Sequence, residues 1–213
     1  TRELVVIGLP VWDTLVVTDP KNGEIRPLLA TKWNWVNTTT LEMELRKGVK
    51  FHSGAEMTAD DVAYTLNFVS DKNHAIMNYA LLAWIKNVEK VDTYKVRIHL
   101  HRPFPPALAY LAGLGFIMQK GHYDKAPTKA DGKKDYGVVP ANGTGPYRIT
   151  EMKPGDFIHM VRNKDYFTDG FKGAPKIGQI RFRTIKDPNT RIAELMTGNI
   201  DWLWDVPKDQ AEK

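Results

Sequence analysis

The chain has 213 residues, 42% of them hydrophobic and 26% charged, with 30 basic side chains against 25 acidic ones and no cysteine. That is globular composition; it excludes disulfides, thiolate metal sites and cysteine nucleophiles. No apolar run approaches the roughly 20 residues that span a bilayer, which predicts a soluble chain. The opening "TRELVVIGLPVW" lacks the basic start, apolar middle and small-residue cleavage site of a signal peptide. The formal charge of +5 is scattered over Lys47, Lys50, Lys86, Lys90, Lys95, Lys133 and Lys134. Such spacing reads as a solvated basic surface rather than the footprint of a nucleic acid.

In chain order, the first clear element is "TLEMELR", where Leu41, Met43 and Leu45 alternate with Glu42, Glu44 and Arg46. Period-two alternation predicts a half-buried strand. After "KGVKFHSG", punctuated by Gly48 and Gly54, "MTADDVAYTLNFVSD" places Val62, Leu66 and Val69 at helical spacing. Thr58 stands at the N-cap, Asp61 three residues later completes a capping-box pattern, and Asp60 and Asp61 suit the positive first turn. "YKVRIHLHRPF" predicts another strand, with Val96, Ile98 and Leu100 inward, ended by Pro103, Pro105 and Pro106. "KADGKKDYGVVPANGTGPY" reads as a long connection, and "YRITEM" and "DFIHMVRN" as a hairpin about "KPGD". The last third predicts a strand over Ile180–Thr184, then a helix capped by Asp187 with Pro188 at its first position. That helix has Ile192, Leu195 and Met196 on one face and stops at Gly198, with a second strand from Ile200. Two sub-regions, α/β or α+β, would meet near residues 138–147.

Several residue groups resemble chemistry. His99 and His101 share a strand face and could chelate zinc, but Lys95 and Arg97 share it too and no Asp or Glu is expected on it, which favours a solvated face. His52, Asp60 and Asp61 lack metal-ligand spacing; His52 is expected to order the turn before the helix, and the two aspartates to cap it. "NGTGPY" has no following Lys-Ser/Thr and is not a phosphate loop, and "HSG" is not a hydrolase elbow. The pairs Trp33/Trp35 and Trp202/Trp204 are spaced by two, so each predicts one face of a strand, as core packing or as rings lining a cleft. No catalytic constellation stands out. A basic interaction or nucleic-acid-binding module is the alternative suggested by charge, and a metal-dependent hydrolase the weaker one suggested by histidines.

"RPLLATKWNW" and "TLEMELRKGVKFHSGAEMTADDVAYTLNFV", followed in order by "NGTGPYRI" and "DPNTRIAELMTGNIDW", resemble the signature regions of family 5 extracellular solute-binding proteins. These are dipeptide, oligopeptide and nickel receptors of bacterial ABC importers, and the resemblance spans most of residues 11 to 206. It implies a mixed α+β, periplasmic-binding-protein-like type II fold, with "TRELVVIGLPVWDTLV" as its first helix, already under way at Thr1. Residues 1–19 and 144–213 would be part of the larger lobe and residues 20–143 an inserted smaller domain, the second large lobe being absent from this stretch. The chain would thus be a piece of a longer, periplasmic protein whose signal peptide lies elsewhere. The resemblance further implies a non-enzymatic receptor without cofactor or metal. It would capture a small solute, a peptide by preference, and deliver it to a membrane permease, with no nucleic-acid partner. It places ligand contacts at Asn78, Tyr79, Phe116, Met118, Gln119, Asn142 and Thr144, and makes "LRKGVKFHSGAEMTADDV" scaffold.

Overall fold

The computed structural model describes residues 2–74, 76, 79–204 and 206, with the side chains of residues 2–6 left aside. The elements in chain order are α1 (Arg2–Val11), β1 (Val16–Thr18), β2 (Ile25–Pro27), β3 (Ala30–Asn37), β4 (Thr40–Leu45), α2 (Ala59–Val69), the single turn α3 (Tyr79–Leu82), β5 (Ile85–Asp92), β6 (Lys95–Leu100), α4 (Ala107–Leu114), β7 (Tyr147–Lys153), β8 (Phe157–Arg162), β9 (Gln179–Arg183) and α5 (Pro188–Met196). This is the mixed α+β arrangement that the alternating and helical patterns predict. By contacts the chain forms two compact units, Thr1–Arg148 with Val161–Gly178, and Ile149–Met160 with Gln179–Lys213.

The first unit is organised by a four-stranded antiparallel sheet in the order β3-β4-β6-β5. Its register sets Trp33 opposite Met43, Met43 opposite Val96, and Leu41 and Val88 opposite Ile98. Directly opposed residues share a face, so this apolar row forms one side of the core. Val62, Leu66 and Val69 of α2 are buried in the same core, as are Leu111 of α4 and Ile117. The opposite face is charged. Glu42 pairs with Arg97 at 2.8 Å and Lys95 at 3.4 Å, and Glu89 pairs with Arg97 at 3.1 Å and His99 at 3.3 Å. The carboxylates facing His99 therefore come from neighbouring strands, which one strand's pattern does not reveal. His101 lies beyond β6, its backbone N–H donating to Trp84 O at 3.1 Å. Among the described residues no three His, Asp or Glu side chains are grouped to hold a metal, and no helix is long and apolar enough to cross a membrane.

The second unit holds most of the sheet β7-β8-β9 together with α5. Strands β7 and β8 are joined by the turn at 154–156, closed by Asp156 N–H to Lys153 O at 3.0 Å. Asp187 caps α5 as its sequence predicts, accepting from Thr190 N–H at 2.8 Å. The predicted strand from Ile200 is not formed: Ile200–Trp204 and Val206 have no strand assignment, and Trp202 and Trp204 meet edge to face at 5.5 Å. A strand exists by pairing, and none of β7, β8 and β9 hydrogen-bonds to this segment. The apolar face of α5 is likewise uncovered, with Met196 78% exposed and Ile192 and Leu195 half-buried.

Strand β5 has no counterpart among the sequence-derived elements. Its pairing with β6 shifts register between Ile85 and Asn87 and again between Lys90 and Asp92. Each irregularity re-phases the side chains, so "IKNVEKVD" never shows clean alternation.

Helix α2 starts with the predicted capping box. Thr58 Oγ1 accepts from Asp60 N–H at 3.3 Å, while Asp61 Oδ2 accepts from Thr58 N–H at 2.8 Å. Asp61 Oδ1 also accepts from Lys120 N–H at 2.8 Å, which ties the helix start to the segment after α4. Removing the cap by Thr58→Ala should cost about 1 kcal/mol. Asp61→Ala should cost more, because it also strands a donor at Lys120, worth about 1–3 kcal/mol. Urea unfolding of both variants checks the order; equal losses would show that the Lys120 contact contributes nothing.

Candidate functional site

The loop Asn142–Gly145 returns the chain to β7 across the end of α1, and this approach leaves no room for a side chain at Gly143 or Gly145. A Cβ on Gly143 would lie 1.9 Å from Val11 O, and one on Gly145 would lie 2.4 Å from Pro10 O. Instead, Gly145 N–H donates to Val11 O at 2.9 Å. The turn after β4 grips the loop from another side. His52 N–H donates to Gly143 O at 2.8 Å, His52 Nε2 lies 3.0 Å from Gly145 O, and Ser53 N–H donates to Asn142 Oδ1 at 3.0 Å. His52 thus has a longer reach than ordering its own turn.

Beneath the loop lies Asp13, fully buried. Its Oδ2 accepts from Thr144 Oγ1 at 3.0 Å; its Oδ1 accepts from Lys172 Nζ at 2.6 Å and Tyr166 OH at 3.3 Å. Lys172 Nζ donates as well to Leu9 O at 2.7 Å near the end of α1. Burial first, and then the Asp13 carboxylate, push the Tyr166 hydroxyl well above its ordinary 10, so it stays a donor. The Asp13 backbone also accepts from Ile117 N–H at 3.0 Å, which fixes the segment 116–119.

Gln119, Asn142 and Ser53 make a partly exposed polar cluster above this layer. Asn142 Nδ2 donates to Gln119 Oε1 at 2.6 Å, and the Ser53 hydroxyl lies 3.4 Å from both partners. The Nε2 amino group of Gln119 takes no part in this network. Met118 is half-buried, and both its N–H and its carbonyl are 3.0 Å from the Thr65 hydroxyl on α2.

The resemblance-derived residues therefore separate into layers. Gln119 and Asn142 touch, with Met118 beside Gln119 in sequence. Thr144 is 1% exposed with its hydroxyl held by Asp13, and Phe116 is buried with its ring 6.5 Å from that of Trp12. Tyr79 is half-exposed at the start of α3 and makes no hydrogen bond or ring contact with the cluster. Asn78 lies outside the described residues. Sequence reasoning missed Asp13, Ser53, Tyr166 and Lys172. An aspartate between apolar residues in "PVWDTLVV" was the available signal for Asp13, since such a charge demands partners; nothing local named them.

Beside the cluster, a stack of rings holds the connecting turns against α2. Phe68 lies 3.7 Å from His74 and 4.1 Å from Tyr123, nearly parallel to both. Tyr64 OH donates to Asp124 Oδ1 at 3.0 Å, and burial, then this carboxylate, push its hydroxyl up to about 12.

Removing the counter-charge by Lys172→Met would leave the Asp13 carboxylate buried with only neutral donors. The expected loss is about 3 kcal/mol, the usual cost of breaking a buried pair from one side. The double variant Asp13→Asn/Lys172→Met should recover part of it. Urea unfolding checks both, and a loss under about 0.5 kcal/mol for Lys172→Met would show the pair to be an ordinary surface contact.

Comparisons with known proteins agree with the sequence resemblance. The model of "Bacterial extracellular solute-binding proteins, family 5 Middle" matches residues 24–213. The glutathione-binding protein GsiB of Pectobacterium atrosepticum is 32% identical over 173 residues, 81% of this chain and 32% of that protein. The oligopeptide-binding protein AppA of Bacillus subtilis is 28% identical over 162 residues, 76% of this chain and 29% of that protein. Among solved structures, NikA from Brucella suis in complex with Fe(III)-EDTA aligns with a TM-score of 0.76 at 29% identity, covering 92% of this chain and 38% of NikA. DppA from Helicobacter pylori in complex with the peptide STSA aligns with a TM-score of 0.76 at 28% identity, covering 92% and 41%. This chain thus spans about a third of the length of the curated relatives it matches. Its fold is periplasmic-binding-protein-like, and the chain belongs to the bacterial extracellular solute-binding proteins of family 5.

Proposed function

We propose that this chain is part of the substrate-binding component of an ABC importer, which captures a small peptide-like solute in the periplasm and delivers it to a membrane permease without chemical change. The observation that carries the reading is the family match over residues 24–213, joined to relatives whose names specify glutathione and oligopeptide binding. Residues 1–19 and 144–213 would be part of the larger lobe and residues 20–143 the smaller domain, with the loop Asn142–Gly145 as the return between them. In this reading Gln119, Asn142 and Met118, with Tyr79, face the ligand, and Phe116 and Thr144 stand behind them. The chemistry suits a peptide: the amide groups of Gln119 and Asn142 and the Ser53 hydroxyl offer donors and acceptors to backbone amides and a terminal carboxylate. Tyr79 can stack its ring on a ligand side chain while its hydroxyl hydrogen-bonds.

A chain of about a third of its relatives' length supplies only part of such a site. Micromolar binding corresponds to about −8 kcal/mol, and half of that to roughly millimolar affinity. Isothermal titration with a pool of di- and oligopeptides should therefore give micromolar binding for the full-length protein and roughly millimolar or weaker binding for these 213 residues. Asn142→Ala and Gln119→Ala should each weaken the full-length protein about tenfold. Equal affinity in both chains would place the site wholly within these residues. Absence of peptide binding, with DNA affinity that falls steeply with salt, would replace the receptor with a nucleic-acid-binding module.

A further inference from the structure

We propose that His52 is a positioning residue whose uncharged ring latches the return loop Asn142–Gly145, so that protonating this ring loosens the loop and withdraws Asn142 from the ligand site. The latch stands on the geometry of the loop; its effect on ligand rests on the solute-binding reading above.

Three contacts from two neighbouring residues hold this loop: His52 N–H to Gly143 O at 2.8 Å, His52 Nε2 to Gly145 O at 3.0 Å, and Ser53 N–H to Asn142 Oδ1 at 3.0 Å. A carbonyl oxygen only accepts, so Nε2 must carry the hydrogen and the neutral ring keeps a bare Nδ1. That Nδ1 is buried and has no hydrogen-bond partner among the described residues. A second proton would have to go there, making a buried cationic N–H with nothing to receive it. The loop cannot shift to accommodate this in place, since Gly143 and Gly145 already press on the backbone of Pro10 and Val11. Gly145 O is also shared with Asn163 Nδ2 at 3.1 Å, so a released His52 ring leaves the loop held by Asn163, Val11, Asp13 and Gln119 and no longer by the turn whose Ser53 N–H orients Asn142 Oδ1.

The charges facing the ring oppose one another. The Gly145 carbonyl that accepts from Nε2–H and then Asp13, just after α1, favour the protonated form, and Arg148 on β7 disfavours it. Burial is the largest influence and holds the ring below its ordinary 6.5. The folded protein therefore binds fewer protons here than the unfolded chain. The contribution of His52 is fully present above pH 6.5 and is lost as pH falls through its lowered folded value. His122 is displaced in the same direction by burial and then by Lys125, and needs its own control.

The test is amide hydrogen exchange and NMR titration of the full-length protein, with His52→Gln and His122→Gln. Glutamine can place its own Nε2 near Gly145 O but takes no proton. The wild-type protection factors at His52 and Ser53, whose N–H groups hold the loop, should fall several-fold from pH 8 to pH 5. His52→Gln should abolish that fall and His122→Gln should leave it. The wild-type ring should titrate below 6.5 with its hydrogen on Nε2. A ring that titrates at or above 6.5, or equal falls in wild type and His52→Gln, overturns the latch, and the NMR titration decides the matter even where His52→Gln fails to fold. Peptide affinity should weaken several-fold from pH 8 to pH 5 in wild type and stay level in His52→Gln. A functioning latch with pH-independent peptide binding would retain the latch and overturn its coupling to ligand, separating that failure from absence of peptide binding altogether.

Discussion

A carboxylate removed from water has to be supplied with donors and a counter-charge, and Asp13 takes them from widely separated parts of the chain. Thr144 is 131 positions away, Tyr166 is 153 and Lys172 is 159. Its own backbone adds the segment after α4 through Ile117. One buried charge thus fixes the end of α1, the return loop, the segment 166–172 and the segment 116–119 relative to each other. Burial of this kind is a weak source of net stability but a strong source of specificity, because misplacing any partner exposes the cost of desolvating the others.

That constraint explains why the residues of the candidate site occupy two depths. Thr144 and Phe116 belong to the layer that Asp13 and Trp12 organise, while Gln119 and Asn142 belong to a layer resting on it. The loop between them is rich in glycine because backbone meets backbone there; a side chain at Gly143 or Gly145 would occupy the carbonyls of Pro10 and Val11. The same closeness sets His52 Nε2 against the Gly145 carbonyl, while its buried Nδ1 has no hydrogen-bond partner among the described residues.

The two units differ in how completely they bury their apolar residues. The first carries one continuous core running from Leu15 to Ile117. In the second, the described residues leave Met196 78% and Trp202 63% exposed, with Ile192 and Leu195 half-buried. A helix with an apolar stripe is stabilised by what it packs against, and among the described residues the stripe of α5 is only partly covered.

The sequence by itself determined what depends on nearest neighbours. The alternation of Leu41, Met43 and Leu45, the helical spacing of Val62, Leu66 and Val69, and the caps at Thr58 and Asp187 are properties of short stretches, and they appear where the periods place them. The family likewise rests on such stretches in order. What only the tertiary structure decided is pairing across distance. Strand β5 is hidden by its bulges, and the strand expected from Ile200 is not formed among the described residues. His99 acquired Glu89 from the next strand, His52 acquired Gly145 from 93 positions away, and the partners of Asp13 could not be named from its own segment. The physical reason is common to all of these: hydrogen bonds and charge pairs are satisfied in space, and local periodicity carries no record of which distant segment satisfies them.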